Sequence, residues 1–122
     1  MTASKRIFLV EDHLDTARTV KRYLEAYGYS VELASDVTSA LRVGSETEFD
    51  LLICDLHLPD GTGWDVMEKL SARRPIRGIA FSAYNSTEHR RRSKEVGFAD
   101  HIVKGYPDRL LRAVTRNTIG LF

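Results

Sequence analysis

The most restrictive feature of this chain is an alternation. Five short apolar runs, Ile7-Phe8-Leu9-Val10, Val31-Glu32-Leu33-Ala34, Leu51-Leu52-Ile53-Cys54, Ile79-Ala80-Phe81 and Ile102-Val103, are each followed by a longer segment of different character. Runs of this length, rich in β-branched and aromatic residues, read as buried strands. Between them Leu14, Ala17, Val20 and Leu24, then Val37, Ala40 and Leu41, then Val66, Met67 and Leu70 recur at the interval that lines one face of a helix. Strand and helix repeated in this way imply a parallel sheet covered on both faces, because parallel strands need crossovers and these are right-handed. A closed (β/α) barrel takes roughly 250 residues, and this chain has 122. What remains is a small doubly wound α/β sheet of five parallel strands with five helices, for which the flavodoxin-like order 2-1-3-4-5 is the expectation.

The punctuation between elements agrees. Gly28 and Gly97 stand where helix C-caps are expected, Asn85 and Glu88 have capping-box spacing, Thr62 and Asp65 resemble one, and Pro107 suits the first turn of the last helix. The length predicts a single domain over residues 1–122 without a separate output module. With 43% hydrophobic and 29% charged residues, disorder is excluded. Eighteen basic against 17 acidic residues leave a net charge of +1, which disfavours direct nucleic-acid binding through a dominant basic surface. A lone cysteine, Cys54, rules out an internal disulfide and suits a reducing cytoplasm. No apolar run is long enough for a signal peptide or a membrane span, so no membrane insertion is expected.

In an open parallel sheet the ligand site lies beyond the carboxyl ends of the strands. The first run ends in Glu11-Asp12, the third in Asp55, the fourth in Ser82 and the fifth in Lys104. Order 2-1-3-4-5 makes the first and third strands neighbours, so the three carboxylates meet. At a spacing of about 4 Å each pair repels by roughly 4 kcal/mol for an effective dielectric near 20. A hard divalent cation compensates, and Mg²⁺ fits because it takes one or two carboxylates together with a phosphoryl oxygen. Carboxylate, cation, lysine and hydroxyl at one point are what phosphoryl transfer to an aspartate needs. Singly, an acidic pair charges a helix start and a lysine ends a strand. Together at four strand ends they indicate a site. Cys54 alternates away from Asp55 and reads as a core side chain.

These residues resemble the receiver domain of two-component response regulators, including those of hybrid histidine kinases, over essentially the whole chain. The most specific stretch is Ile53-Cys54-Asp55-Leu56-His57-Leu58-Pro59-Asp60-Gly61-Thr62-Gly63-Trp64, supported by Val10-Glu11-Asp12, Phe81-Ser82-Ala83 and His101-Ile102-Val103-Lys104. The resemblance implies a phosphorelay phosphoacceptor. Asp55 takes a phosphoryl group from a phosphohistidine on a sensor histidine kinase or histidine phosphotransfer protein. Glu11, Asp12, Asp55 and the backbone carbonyl of His57 hold Mg²⁺, with Glu11 acting largely through water. Lys104 and Ser82 contact the phosphoryl oxygens, and Ser82 and His101 form the conformational switch. Such a protein is not an enzyme beyond its own phosphorylation and dephosphorylation. His57 and Tyr84 flank the expected site.

The chain departs from the family pattern at three positions. Glu11 stands for an aspartate, His101 for Tyr or Phe, and Gly105 for the proline that follows the lysine through a cis bond. A non-proline cis bond costs about 3–4 kcal/mol, so a trans bond with unusual dihedrals at Gly105 is expected. The polar fourth helix, with Arg90, Arg91 and Arg92, and the last helix, with Arg109, Arg112 and Arg116, form an expected basic face. Together with the fifth strand, the resemblance makes this the contact for a downstream protein. Two rivals remain: an unphosphorylated binding adaptor, suggested by Gly105 and His101, and an Asp-nucleophile phosphohydrolase, prompted by Asp60-Gly61-Thr62.

Overall fold

The structure is a computed structural model that describes residues 4–119. The elements follow in chain order: β1 (Arg6–Val10), α1 (Leu14–Ala26), β2 (Ser30–Ala34), α2 (Val37–Glu46), β3 (Leu51–Cys54), a short hairpin of β4 (His57–Leu58) and β5 (Gly61–Thr62), α3 (Gly63–Ser71), β6 (Gly78–Ser82), α4 (Thr87–Glu95), β7 (Asp100–Val103) and α5 (Pro107–Thr118). The five long strands form one parallel sheet in the order β2-β1-β3-β6-β7. This is the expected 2-1-3-4-5 order of a flavodoxin-like fold once the antiparallel β4–β5 hairpin is counted apart.

Alternation along the strands builds two cores. Phe8, Val10, Leu52, Cys54 and Ala80 face α2 and α3 and pack with Val37, Ala40, Val66, Met67 and Leu70. Ile7, Leu9, Leu51, Ile53, Ile79 and Phe81 face the other way, onto Leu24 of α1 and Leu110, Ala113 and Val114 of α5. Burying each large aliphatic side chain contributes about 1.5–3 kcal/mol, so these two rows dominate the stability of the fold. Helix α4 differs, because its one buried residue is Ser93.

Two local expectations need correction. Leu14 does not join the inner stripe of α1: as the first helical residue it is 55% exposed, and Ala17 and Leu24 carry the packing. Asn85 does not cap α4; the cap is Ser86, whose hydroxyl accepts from the His89 N–H, while Asn85 accepts from Arg90. Thr62 caps α3 as expected, Pro107 opens α5, and Gly28 and Gly97 close α1 and α4 at φ +93° and +104°. Among the described residues no helix is long and apolar enough to cross a membrane.

Candidate functional site

Register places the strand ends at one level. Val10 pairs with both Ala34 and Cys54. The next residues stay in step, with the Glu11 N–H donating to the Ala34 carbonyl (3.0 Å) and the Asp55 N–H to the Val10 carbonyl (2.9 Å). Beyond β6, the Lys104 N–H donates to the Ser82 carbonyl (2.9 Å) and carries the lysine over the same edge. Glu11, Asp12 and Asp55 then present carboxylate oxygens within 4.8 Å of one another. An all-oxygen donor set of this charge fits a hard divalent cation such as Mg²⁺. His57, expected to contribute its carbonyl, follows at once, its N–H donating to Asp55 Oδ1 (3.2 Å).

Within the protein, Lys104 supplies the countercharge. Its Nζ donates to Glu11 Oε2 at 2.7 Å and to Asp55 Oδ2 at 2.9 Å, bridging two carboxylates whose side chains are 1% and 8% exposed. The repulsion expected among the acids is therefore already reduced by a residue of the site. Burial pushes the Glu11 carboxyl above its ordinary range; the Lys104 hydrogen bond opposes this and the Asp55 charge adds to it. Burial pulls the Lys104 ammonium down, but its hydrogen bonds to Glu11 and Asp55 and their charges outweigh this and leave it raised. The bond after Lys104 is trans, since the described residues contain no cis peptide, and Gly105 takes φ +98°, a region side chains other than glycine disfavour. The family's proline is thus replaced by a different solution to the same turn.

The opposite wall is neutral. Ser82 is fully buried, and its hydroxyl accepts from the Tyr84 N–H at 3.0 Å. His101 points inward at 9% exposure, with Nε2 2.9 Å from the Tyr84 carbonyl and Nδ1 3.1 Å from Ser93 Oγ. The Tyr84 ring lies 4.4 Å from that of His57 and stacks on His89 at 5.4 Å. The expected switch pair, Ser82 and His101, is therefore joined through the Tyr84 backbone.

The loop after β3 is held by residues whose roles the motif alone does not disclose. Asp60 accepts from Val37 N–H, Thr38 N–H and Thr38 Oγ1, fastening the loop to the start of α2, and the two backbone donors hold its carboxyl below the usual range. At Gly63 a Cβ would sit 2.1 Å from the Asp55 carbonyl oxygen, so only glycine lets α3 begin this close to the site. Cys54 is buried in the core as expected, where burial raises its thiol well above its ordinary range.

The expected basic face is not a field of bare arginines. Arg91 pairs with Glu88 and Glu95, Arg112 with Asp108 and Arg116 with Asp100, while Arg92 lies over Trp64 and Arg109 over Tyr106. Acids three or four residues away on the same helix neutralise Arg91 and Arg112, which net charge on a helix does not reveal.

The response regulator receiver domain model matches residues 7–116. The chain is 31% identical over 102 residues to the probable transcriptional regulatory protein SilR of Salmonella typhimurium, covering 83% of this chain and 45% of that protein. It therefore spans less than half the length of that curated relative, whose description as a transcriptional regulator leaves the expectation of no nucleic-acid contact without support. Among solved structures, it is similar to a CheY-like receiver domain protein from Methanospirillum hungatei JF-1 (31% identity, TM-score 0.87, covering 93% of this chain and 92% of that one). It is also similar to the non-phosphorylated HemR receiver domain from Leptospira biflexa (31% identity, TM-score 0.89, covering 95% of each). Sheet order, strand-end residues and a match over nearly the whole sequence agree, and the chain belongs to the response regulator receiver domain family.

Proposed function

We propose that Asp55 accepts a phosphoryl group from a phosphohistidine on a sensor histidine kinase or histidine phosphotransfer protein, and that the chain signals by the resulting conformational change. The observation that carries this reading is the Lys104 bridge, which holds Glu11 and Asp55 together over the strand ends. Glu11, Asp12, Asp55 and the His57 carbonyl would hold Mg²⁺, which when bound would supply positive charge to the phosphoryl oxygens. An Asp55 carboxylate oxygen forms the new bond to phosphorus as the bond to the donor imidazole nitrogen breaks and the imidazole leaves. An ammonium has three donors. Two are used on Glu11 and Asp55, so the third is free for a phosphoryl oxygen. Ser82 accepts from Tyr84 and so keeps its own O–H to donate to another.

On this reading the chain turns over no substrate beyond its own phosphoaspartate. It works in the cytoplasm and passes its signal to a downstream protein through α4, β7 and α5. The phosphohydrolase rival is disfavoured by Asp60, whose carboxylate is committed to the start of α2. Incubation with phosphoramidate and Mg²⁺ should add one phosphoryl group, read as a mass shift that Asp55→Asn abolishes. A shift that survives Asp55→Asn overturns the assignment, and no shift in the unsubstituted chain favours the adaptor.

A further inference from the structure

Beside the carboxylate pocket two imidazoles converge whose rings its chemistry does not use. His57 of β4 is exposed, His89 of α4 is half-buried, and their ring centroids lie 5.9 Å apart. Both rings are backed by other rings. Tyr84 lies 4.4 Å from His57 and 5.4 Å from His89, and Trp64 of α3 lies 5.6 Å from His89. Trp64 is 7% exposed, and its indole N–H donates to the buried Ser93 Oγ at 3.0 Å. The floor beneath the pair is therefore fixed.

The nitrogens of the pair are available. Among the described residues no hydrogen bond engages either ring nitrogen of His57 or Nε2 of His89. Nδ1 of His89 lies against the Ser86 hydroxyl, which also accepts from the His89 backbone N–H. A hydroxyl oxygen has two acceptor sites, so it has room for the Nδ1 proton as well, and in that tautomer the Nε2 lone pair is free. A hydrogen bond on the far nitrogen is what orients and activates an imidazole as a metal ligand.

Distance and donor type then select the ion. Zinc–imidazole bonds of about 2.0–2.1 Å put each ring centroid about 3.2 Å from the ion, and a tetrahedral angle puts the two centroids about 5.2 Å apart. From 5.9 Å, closing to that spacing takes about 0.7 Å, a small rotation of the exposed His57 ring. Mg²⁺ prefers the oxygens of Glu11, Asp12 and Asp55, whereas imidazole suits Zn²⁺. The two donor sets adjoin, because the His57 N–H donates to Asp55 Oδ1. Of the arginines that follow His89, Arg91 is neutralised by Glu88 and Glu95, so the charges of Arg90 and Arg92 are the repulsion that the coordinate bonds must exceed.

We propose that His57 and His89 form a second, nitrogen-donor metal site that takes Zn²⁺ at the rim of the carboxylate pocket, with its remaining coordination positions open to water. The ion clips the loop after β3 to α4, and its binding does not depend on the reading of Asp55 as phosphoacceptor.

The test uses the full chain, free of any affinity tag and in excess Mg²⁺ so that the carboxylates are occupied. Zn²⁺ is titrated by calorimetry, and imidazole NMR signals identify the histidines that respond. A single Zn²⁺ should bind, move the signals of His57 and His89, leave those of His13 and His101 in place, and raise Tm. His57→Phe and His89→Phe each keep a ring against Tyr84 and remove the nitrogens. Either should weaken Zn²⁺ binding at least about tenfold, since even a group one step behind a ligand contributes that much. His89→Phe should keep the rise in Tm with Mg²⁺ alone, which shows that the variant is folded and its carboxylate pocket intact. No binding to the intact chain overturns the site, as does binding that survives both substitutions. Binding that Asp12→Asn abolishes while the His57 and His89 signals stay unmoved places Zn²⁺ among the carboxylates and overturns it too.

Discussion

On the Lys104 side of the pocket the contacts to Glu11 and Asp55 are between full charges, 2.7 and 2.9 Å long. On the Tyr84 side they are neutral hydrogen bonds and stacked rings, from Ser82 through Tyr84 to His101, with His57 and His89 against the tyrosine ring. Charged contacts in a partly buried site are strong and tolerate little rearrangement. Neutral bonds contribute about 0.5–1.5 kcal/mol net each and can be exchanged for others at modest cost. A wall of charges suits chemistry on an anionic group, and a wall of neutral bonds suits a part that must move.

The sharpest way to break this comparison is Lys104→Met. It leaves two nearly buried carboxylates without their cation and should cost about 3 kcal/mol at neutral pH by denaturant unfolding, the low end for an orphaned buried charge because the lysine is partly exposed. A loss below about 1 kcal/mol would make the bridge no different from a surface ion pair. Next in size is the response to Mg²⁺. At tenfold excess over its dissociation constant, a cation bound only by the folded state adds about 1.4 kcal/mol, a rise of a few degrees in Tm. The shift should be larger in Lys104→Met, where no ammonium competes for Glu11 and Asp55, and an equal or smaller shift would mean that the lysine and the cation do not share these oxygens.

A smaller effect belongs to the neutral wall. Burial lowers the His101 pKa; the Tyr84 carbonyl opposes this, and the nearby Arg90 guanidinium reinforces it. The folded-state value thus lies below the unfolded one, about 6.5. The unfolded chain takes up the proton first, so the stability contributed by neutral His101 is complete above that pH and is lost as pH falls through and below it. Tm should fall more steeply between pH 7 and 5.5 in the intact protein than in His101→Phe, and parallel profiles would show that the imidazole titrates as it does in the unfolded chain.

Legibility in the sequence followed the same division. The charged wall could be read because each member ends an apolar run, and strand order alone brings run ends together. Gly105 could be read too, since replacing a proline after the lysine leaves a trans bond and a glycine-favoured φ as the economical geometry. The neutral wall was legible at its ends, Ser82 and His101, and in His57 and Tyr84 as residues flanking the site. Its middle is the Tyr84 backbone, which leaves no mark on residue choice, and Ser93 and Trp64, polar partners from separate helices that no spacing connects. Gly63 was overlooked for a related reason: its need to be glycine comes from the Asp55 carbonyl, not from its own turn. The arginines misled because pairing within a helix is local and net charge is not.

The smallest expected effect isolates backbone from side chain at the hub of the neutral wall. Both hydrogen bonds that Tyr84 makes in this wall, from its N–H to Ser82 and to its carbonyl from His101, belong to its main chain. The residue is 53% exposed, and its ring contributes the contacts with His57 and His89. Tyr84→Leu should therefore cost about 0.5 kcal/mol, the low end for an aromatic pair. It should leave the Mg²⁺ shift unchanged, because His57, whose ring it touches, is expected to meet the cation through its backbone carbonyl. If Tyr84→Leu instead costs about 2 kcal/mol or more, the rings and not the backbone hold this wall together, and the two walls differ in shape more than in kind of bond.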